Sequence, residues 1–392
     1  MRYATTRRPV LTLTTGPVDA YPEVLQALAT TVLYDFDPAF LAHYEKVARK
    51  AQRAMGTGGV PTVLHGEPVL ALEAAAASLI AAGDTVLNLV SGVYGKGFGH
   101  WAKRWCRELV EITVPYDDVI DPEAVAAMFR ERPDIAVVSV VHHETPSGTI
   151  NPVDEIGAIC ARHGAHLIVD AVSSWGGMPA SPDACQAAIY VTGPSKCLGC
   201  PPGLSLVAVS ERGWAKMAAN PKAPRASMLS ILDWQEAWRS DRPFPFTPSV
   251  AEINGLDRAL DLYLEEGPEA VWERHALTAA ACRAGVRGLG LDIWPARDAI
   301  ASPTTTAVKV PDGIDGAALL ATSRERYGVT FSAGRAETLG KLIRIGHMGP
   351  TAQPIHSIAA VAALGAALQA MGGRADIGGG TEAAMEIING AF

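Results

Sequence analysis

Two charged residues stand where an apolar stretch of chain has little reason to put them. Asp170 ends the run Leu167–Val169, and Lys196 follows the run Ala188–Val191 across a short loop, all within HLIVDAVSSWGGMPASPDACQAAIYVTGPSKCLGCPPG (His166–Gly203). The two runs read as buried strands of a parallel sheet. Burying an unpaired charge is costly, so charges at such places need a partner or a ligand. Open parallel sheets bind ligands just outside the carboxyl ends of their strands. A lysine amine there can form a Schiff base, and a carboxylate can pair with a pyridinium nitrogen, which is the chemistry of a pyridoxal-type site. An aspartate cap and a surface lysine in a Gly/Pro-rich loop would show the same spacing.

The elements that must position this pair follow from periodicity. Tyr21–Leu33 and Asp37–Met55 read as helices, and Thr12–Pro17 as a segment ending in a Gly-Pro turn that leads into the site. Strands and helices then alternate: Pro61–Leu64 strand, Pro68–Ala82 helix, Thr85–Val90 strand, Gly95–Leu109 helix, Ile112–Val114 strand. Pro122–Arg130 and Val153–Arg162 continue as helices, Ile135–Val141 and Leu204–Val209 as strands. Such alternation predicts a doubly wound α/β domain with a mainly parallel sheet. Residues 227–248 are irregular, aromatic and proline-rich, as a loop at a subunit contact would be. Helices over Val250–Glu265 and Ala270–Leu289 lead to a smaller α+β part with strands Thr304–Val310 and Leu342–Ile345 and helices Gly316–Tyr327 and Ile355–Met371. Gly372–Gly380 reads as a spacer before a short final helix. The expected division is an N-terminal arm (1–15), a large α/β domain with the lysine (16–265) and a small α+β domain (266–392).

Composition narrows the function. The 392 residues can bury a large core, and the formal charge of −8 with no basic, aromatic-interleaved run disfavours nucleic acid as a partner. A hydrophobic content of 48% against 19% charged suits a globular chain with a buried oligomer interface. No apolar stretch has the length of a signal peptide core or a membrane span, so a soluble cytoplasmic protein is expected. Six cysteines are few for this length and read as thiols. Cys197 and Cys200 form a C-x-x-C, but no second such pair or histidine cluster completes a zinc set, and no metal is expected.

DAVSSWGG (Asp170–Gly177) and GPSKCLGCPPG (Gly193–Gly203) resemble the fold-type I, class V aminotransferases, the serine–pyruvate and alanine–glyoxylate group. The likeness runs from Gly16-Pro17 to Arg344. It implies a large mainly parallel domain, a smaller α+β domain and sites formed between subunits of a dimer or higher oligomer. It also implies roles. Asp170 would hold the ring nitrogen, and Lys196 would carry the Schiff base. Tyr94, in SGVYGKGFG, would stack on the pyridine ring, and Thr145, in HHETPSGTINP, would reach its 3-oxygen. Arg344, in LIRIGHMG, would grip the substrate carboxylate as a bidentate fork, with Arg335 in SAGRAE near enough to add a second cation. Tyr94 in a core, Thr145 in a simple turn and Arg344 on a solvent-facing strand position are the plainer readings of the same residues. His142 and His143, being adjacent, point different ways in an extended chain and do not form a metal pair.

One segment departs from the resembled group. Where the group reads S-G-T-x-x-(M/L)-E-A and builds a phosphate cup at a helix start, this chain reads HGEPVLALEAA (His65–Ala75). Proline at 68 has no N–H to donate, Val69 has no hydroxyl, and Glu67 puts a negative charge where a dianion would sit. An ordinary charged helix cap would account for Glu67 alone. Ahead of Thr247-Pro248, where the group supplies a tyrosine or histidine from the neighbouring subunit to the phosphate, stand Pro245 and Phe246. The expected ligand is therefore an unphosphorylated vitamer, with its hydroxymethyl group on Glu67 and no tightly bound cofactor. HGEPVL, SGVYGKGFG and RIGHMGPTAQP are closest to class V members that use pyridoxamine as a substrate of vitamin B6 degradation, with pyruvate receiving the amino group. A conventional pyridoxal-phosphate-dependent alanine–glyoxylate or serine–pyruvate aminotransferase is the alternative. A cysteine desulfurase would need a cysteine on a mobile loop, and a vitamer-binding protein on this scaffold would bind without turnover.

Overall fold

A computed structural model describes residues 11–391. The first ten residues of the expected 1–15 arm and Phe392 lie outside the described residues. In chain order the first elements are β1 (Leu11–Thr12), α1 (Pro22–Leu28), α2 (Pro38–Met55), β2 (Thr62–His65), α3 (Pro68–Leu79), β3 (Thr85–Val90), α4 (Val93–Trp105), β4 (Glu108–Thr113) and α5 (Pro122–Glu131). Next come β5 (Ile135–Val141), the short pair β6 (His143–Glu144) and β7 (Thr149–Ile150), α6 (Val153–Arg162), β8 (His166–Asp170), β9 (Ile189–Thr192), β10 (Leu204–Val209) and α7 (Glu211–Ala219). The chain ends with α8 (Val250–Glu266), α9 (Pro268–Gly288), β11 (Thr305–Lys309), α10 (Gly316–Tyr327), β12 (Val329–Thr330), β13 (Ser332–Ala333), β14 (Leu342–Gly346), α11 (Pro354–Ala370) and α12 (Ile377–Asn389).

Valine, isoleucine and leucine fill the central strands because both sheet faces are covered by helices. Seven strands lie in the order β2-β10-β9-β8-β5-β3-β4, all parallel except β10, which runs against both neighbours. After β3 the chain passes outward to β4 and then returns across the sheet through β5, β8 and β9. The winding reverses between β3 and β5, and a ligand crevice is expected at such a reversal. The segments that follow β3, β5 and β8 there carry Tyr94, at the start of α4, Thr145, and the DAVSS segment that begins at the end of β8. Leu87, Val138, Ile168 and Leu206 belong to the core of this layer. A second core, with Leu13, Val308, Ile343, Ile345 and Leu364, packs α9, α10 and α11 onto a three-stranded antiparallel sheet ordered β11-β14-β13. β1 pairs in parallel with β12, so the chain's first described residues join this second core.

Several elements differ from expectation, among them α1, which ends at Leu28 and not at Leu33. The α4 helix stops at Trp105, four residues early, because Glu108 and Leu109 pair with Thr85 and Val86 of β3. The α7 helix was not expected; it begins where the Ser210 hydroxyl accepts the Gly213 N–H at 3.2 Å, an N-cap. The last four residues of the expected glycine spacer, Ile377–Gly380, are instead the first turn of α12. A side chain there would collide: a Cβ on Gly288 of α9 would stand 2.7 Å from the Gly379 carbonyl oxygen, so the glycines let two helices touch backbone to backbone.

Candidate active site

Asp170 is the last residue of β8, paired with Val141 on one side and Val191 on the other. Its Oδ1 accepts the Val172 N–H at 3.0 Å, a local turn that fixes the carboxylate. Burial pushes its pKa up to about 6, against the pull of that N–H and of the Lys196 charge. Lys196 sits four residues beyond β9, in a loop closed by bonds from Gly199 N–H to Lys196 oxygen and from Cys200 N–H to Pro194 oxygen, each 3.0 Å. Burial, and then the Arg344 cation, lower its pKa to about 8, while Glu67 and Asp170 oppose the shift. The two residues chosen from spacing therefore face each other electrostatically.

Arg344 does not face solvent. It lies on the central strand of the small sheet, 9% exposed, and its Nε donates to the Ala333 carbonyl at 2.8 Å. Its guanidinium is near the Tyr94 phenol, and Arg335, which is exposed, stands over the same ring at 5.7 Å from the centroid. Tyr94 occupies the first turn of α4 and so links the crevice to both arginines. Glu67 is the N-cap of α3, yet its carboxylate makes no capping hydrogen bond. The plain reading of Glu67 as a helix cap thus lacks its bond, and the carboxylate is exposed and close enough to act on Lys196 and Asp170. Pro68 and Val69 follow it, the first buried and the second 48% exposed.

Thr145 is fully buried and its hydroxyl donates to the Ser173 hydroxyl at 2.6 Å, which brings the ETPSG and DAVSS segments together. His142 and His143 are both buried. The His143 Nδ1 lies 3.0 Å from the Ser173 carbonyl and 3.0 Å from the Thr304 hydroxyl, and burial drops its pKa to about 3, so it is a neutral structural partner. Cys197 and Cys200 are buried too, and burial raises the Cys197 thiol to about 12, which removes it as a nucleophile. Among the described residues no group of three or more His, Cys, Asp or Glu could hold a metal ion. Phe246 is not brought to Lys196 by this chain: it is 39% exposed and lines a surface cavity of about 980 Å³ with Pro243, Pro245 and Arg242.

Sequence reasoning passed over Glu144. This carboxylate is fully buried and accepts the Gly95 N–H at 2.6 Å and the Tyr94 N–H at 3.1 Å, so it caps α4 from β6 and fixes the tyrosine. Burial raises its pKa to about 7. The signal lay in Gly92, where a Cβ would stand 2.5 Å from the Glu144 carboxyl carbon.

The chain matches the family described as "Aminotransferase class-V" over residues 69–355. It is 67% identical over 389 residues to a pyridoxamine–pyruvate transaminase of Mesorhizobium japonicum, covering 99% of each chain. The solved structure of pyridoxamine-pyruvate aminotransferase from Mesorhizobium loti superposes with a TM-score of 0.99 at 66% identity, covering 100% of both chains. That of ureidoglycine-glyoxylate aminotransferase from Bacillus subtilis gives 0.92 at 27% identity, covering 99% of this chain and 100% of that one. Sheet order, crevice and sequence agree, and the chain belongs to the class V aminotransferases.

Proposed function

We infer that this chain is a transaminase that moves the amino group of pyridoxamine to pyruvate, giving pyridoxal and L-alanine, with the free vitamer as a substrate. The observation that carries the reading is Glu67 at the start of α3: an unspent carboxylate, followed by a proline and a valine, where a phosphate would need donors. A phosphorylated cofactor does not fit that helix start, whereas a hydroxymethyl group can donate to Glu67. The 67%-identical relative named for the same reaction supports it.

The pyridine ring, when bound, takes up the electrons released on proton loss. Asp170 keeps the ring nitrogen protonated, and Tyr94 covers the ring face. Lys196 takes the proton from the 4′ carbon and returns it to the carbon that becomes the alanine α-carbon. Thr145 sits with Ser173 where the ring's 3-oxygen would lie. Arg344, with Arg335 over Tyr94, holds the pyruvate carboxylate. Val32, Tyr34, Phe36 and Phe246 are apolar and exposed on this single chain, which supports an oligomer in which such residues meet a neighbouring copy.

The test is turnover of pyridoxamine and pyruvate by purified protein with no added pyridoxal phosphate. Equal pyridoxal and alanine over many cycles are expected. Activity only after adding pyridoxal phosphate and an amino donor would establish a conventional aminotransferase instead.

Two smaller results are expected. Lys196 must be neutral to accept a proton, so kcat should rise with pH and level off above about 8, the value to which burial and Arg344 lower it. A kcat still climbing at pH 10 would mean that Lys196 keeps an ordinary amine pKa. Replacing Arg344 with lysine keeps the charge but loses the fork, and the KM for pyruvate should rise roughly tenfold, about 1.4 kcal/mol, with the KM for pyridoxamine little changed. Steady-state kinetics with each substrate varied in turn would show the split.

A further inference from the structure

The Thr12–Pro17 segment has no part in the reaction just described, yet the structure pins it firmly. The Gly346 N–H at the end of β14 donates to the Leu13 carbonyl, and the Leu13 N–H donates to Thr330, each at 2.9 Å. The Thr15 N–H donates to the Ser332 hydroxyl at 3.0 Å, and Ser332 is the β13 residue paired with Arg344. Thr15 is 2% exposed, and its carbonyl accepts a hydrogen bond from the Lys196 amine at 2.5 Å. Gly16 presses against the same amine: a Cβ there would stand 1.9 Å from Nζ, and its φ of +136° is one that side chains rarely allow.

We propose that Thr15 and Gly16 form a dock that holds the free amine of Lys196 between turnovers, at a position set by the strand that carries Arg344. The proposal rests on the reading of Lys196 as the residue that bonds the vitamer. A reaction that takes the vitamer in and releases it leaves Lys196 without a covalent partner in every cycle. A flexible four-carbon stem would then wander, and its buried amine would lack an acceptor. The Thr15 carbonyl supplies one. Because Thr15 hangs from Ser332, beside Arg344, the amine and the carboxylate-binding arginine share one support. The groups facing Lys196 are Arg344 from β14, Glu67 from the start of α3, Asp170 from β8, His143 from β6 and the adjacent Cys197 thiol. The dock adds an uncharged acceptor that favours the protonated amine.

The experiment uses pyridoxal alone, without pyruvate. Its aldehyde and the lysine amine combine with loss of one water into a coloured adduct, which borohydride reduces and fixes on Lys196. Gly16→Ala should slow this trapping about tenfold or more, because its methyl takes the place of the docked amine, while pyridoxamine binding by calorimetry stays within about threefold. Ser332→Ala leaves the backbone conformation alone but frees Thr15, and should lower the pH midpoint of adduct formation by about half a unit as the charged amine loses its acceptor. A folded Gly16→Ala protein that traps pyridoxal at the unmodified rate would overturn the dock. If Gly16→Ala does not fold, an unchanged midpoint in Ser332→Ala overturns it. Unmodified protein that never traps pyridoxal on Lys196 refutes the role of the lysine itself, a different outcome from variants that match it.

Discussion

Lys196→Ala should abolish turnover of pyridoxamine and pyruvate while leaving pyridoxamine bound. A positioned proton-transfer group contributes about a hundredfold to ten-thousandfold, and this lysine serves twice, at the 4′ carbon and at the α-carbon. A fall in kcat of at least about a thousandfold is therefore expected. Binding should survive because the proposed partners of the vitamer are elsewhere: Asp170 at the end of β8, Tyr94 on α4 and Glu67 at the start of α3. The fold should survive as well. Removing the amine takes a partly charged group out of a buried place and leaves only the Thr15 carbonyl without its donor. Calorimetric titration with pyridoxamine, beside a stopped assay for alanine, separates the two effects. Turnover near the unmodified rate would sink the assignment of Lys196, and loss of binding in step with turnover would make the lysine a structural residue.

The lysine and aspartate were legible in the sequence because of where they stand. Each is a charge delivered by a short apolar strand to the carboxyl edge of a parallel sheet, and the fold offers few packing reasons for that. The strands themselves were legible too: Thr85–Val90, Ile135–Val141 and Leu204–Val209 are mainly apolar, and the structure places them at those bounds. What escaped was anything expressed through contact. Glu144 reads as one more polar residue in a turn until β6 brings it under the first turn of α4. The Thr15 carbonyl belongs to a backbone, and a backbone acceptor leaves no mark on residue type; only the glycine beside it hints that something approaches closely. The glycines of α12 misled for the same reason, since helix contact and chain flexibility both favour residues without side chains. Phe246 shows a further limit. Its place on an exposed loop follows from the chain, but what it meets depends on a neighbour that one sequence does not describe.

Glu67→Ala should separate the two substrates and also reverse a preference. If the Glu67 carboxylate accepts the hydroxymethyl hydrogen of pyridoxamine, its loss should raise the KM for pyridoxamine about tenfold, the lower part of the range for a charge-assisted bond because the group is partly solvated. The KM for pyruvate should stay put, since the residue proposed to hold its carboxylate, Arg344, lies on β14 and not on α3. The same change removes the negative charge that repels a phosphate at the start of α3. Pyridoxamine phosphate, excluded or weak in the unmodified protein, should then bind relatively better, though Pro68 still withholds its N–H and Val69 its hydroxyl. A carboxylate serving only as a helix cap would behave differently: its loss would lower the melting temperature and weaken both substrates alike. Competition between pyridoxamine and its phosphate, measured in both proteins, tells these apart. A preference that moves toward the phosphate places Glu67 at the vitamer's 5′ substituent; an equal loss for both substrates, with the preference unmoved, would remove it from the site.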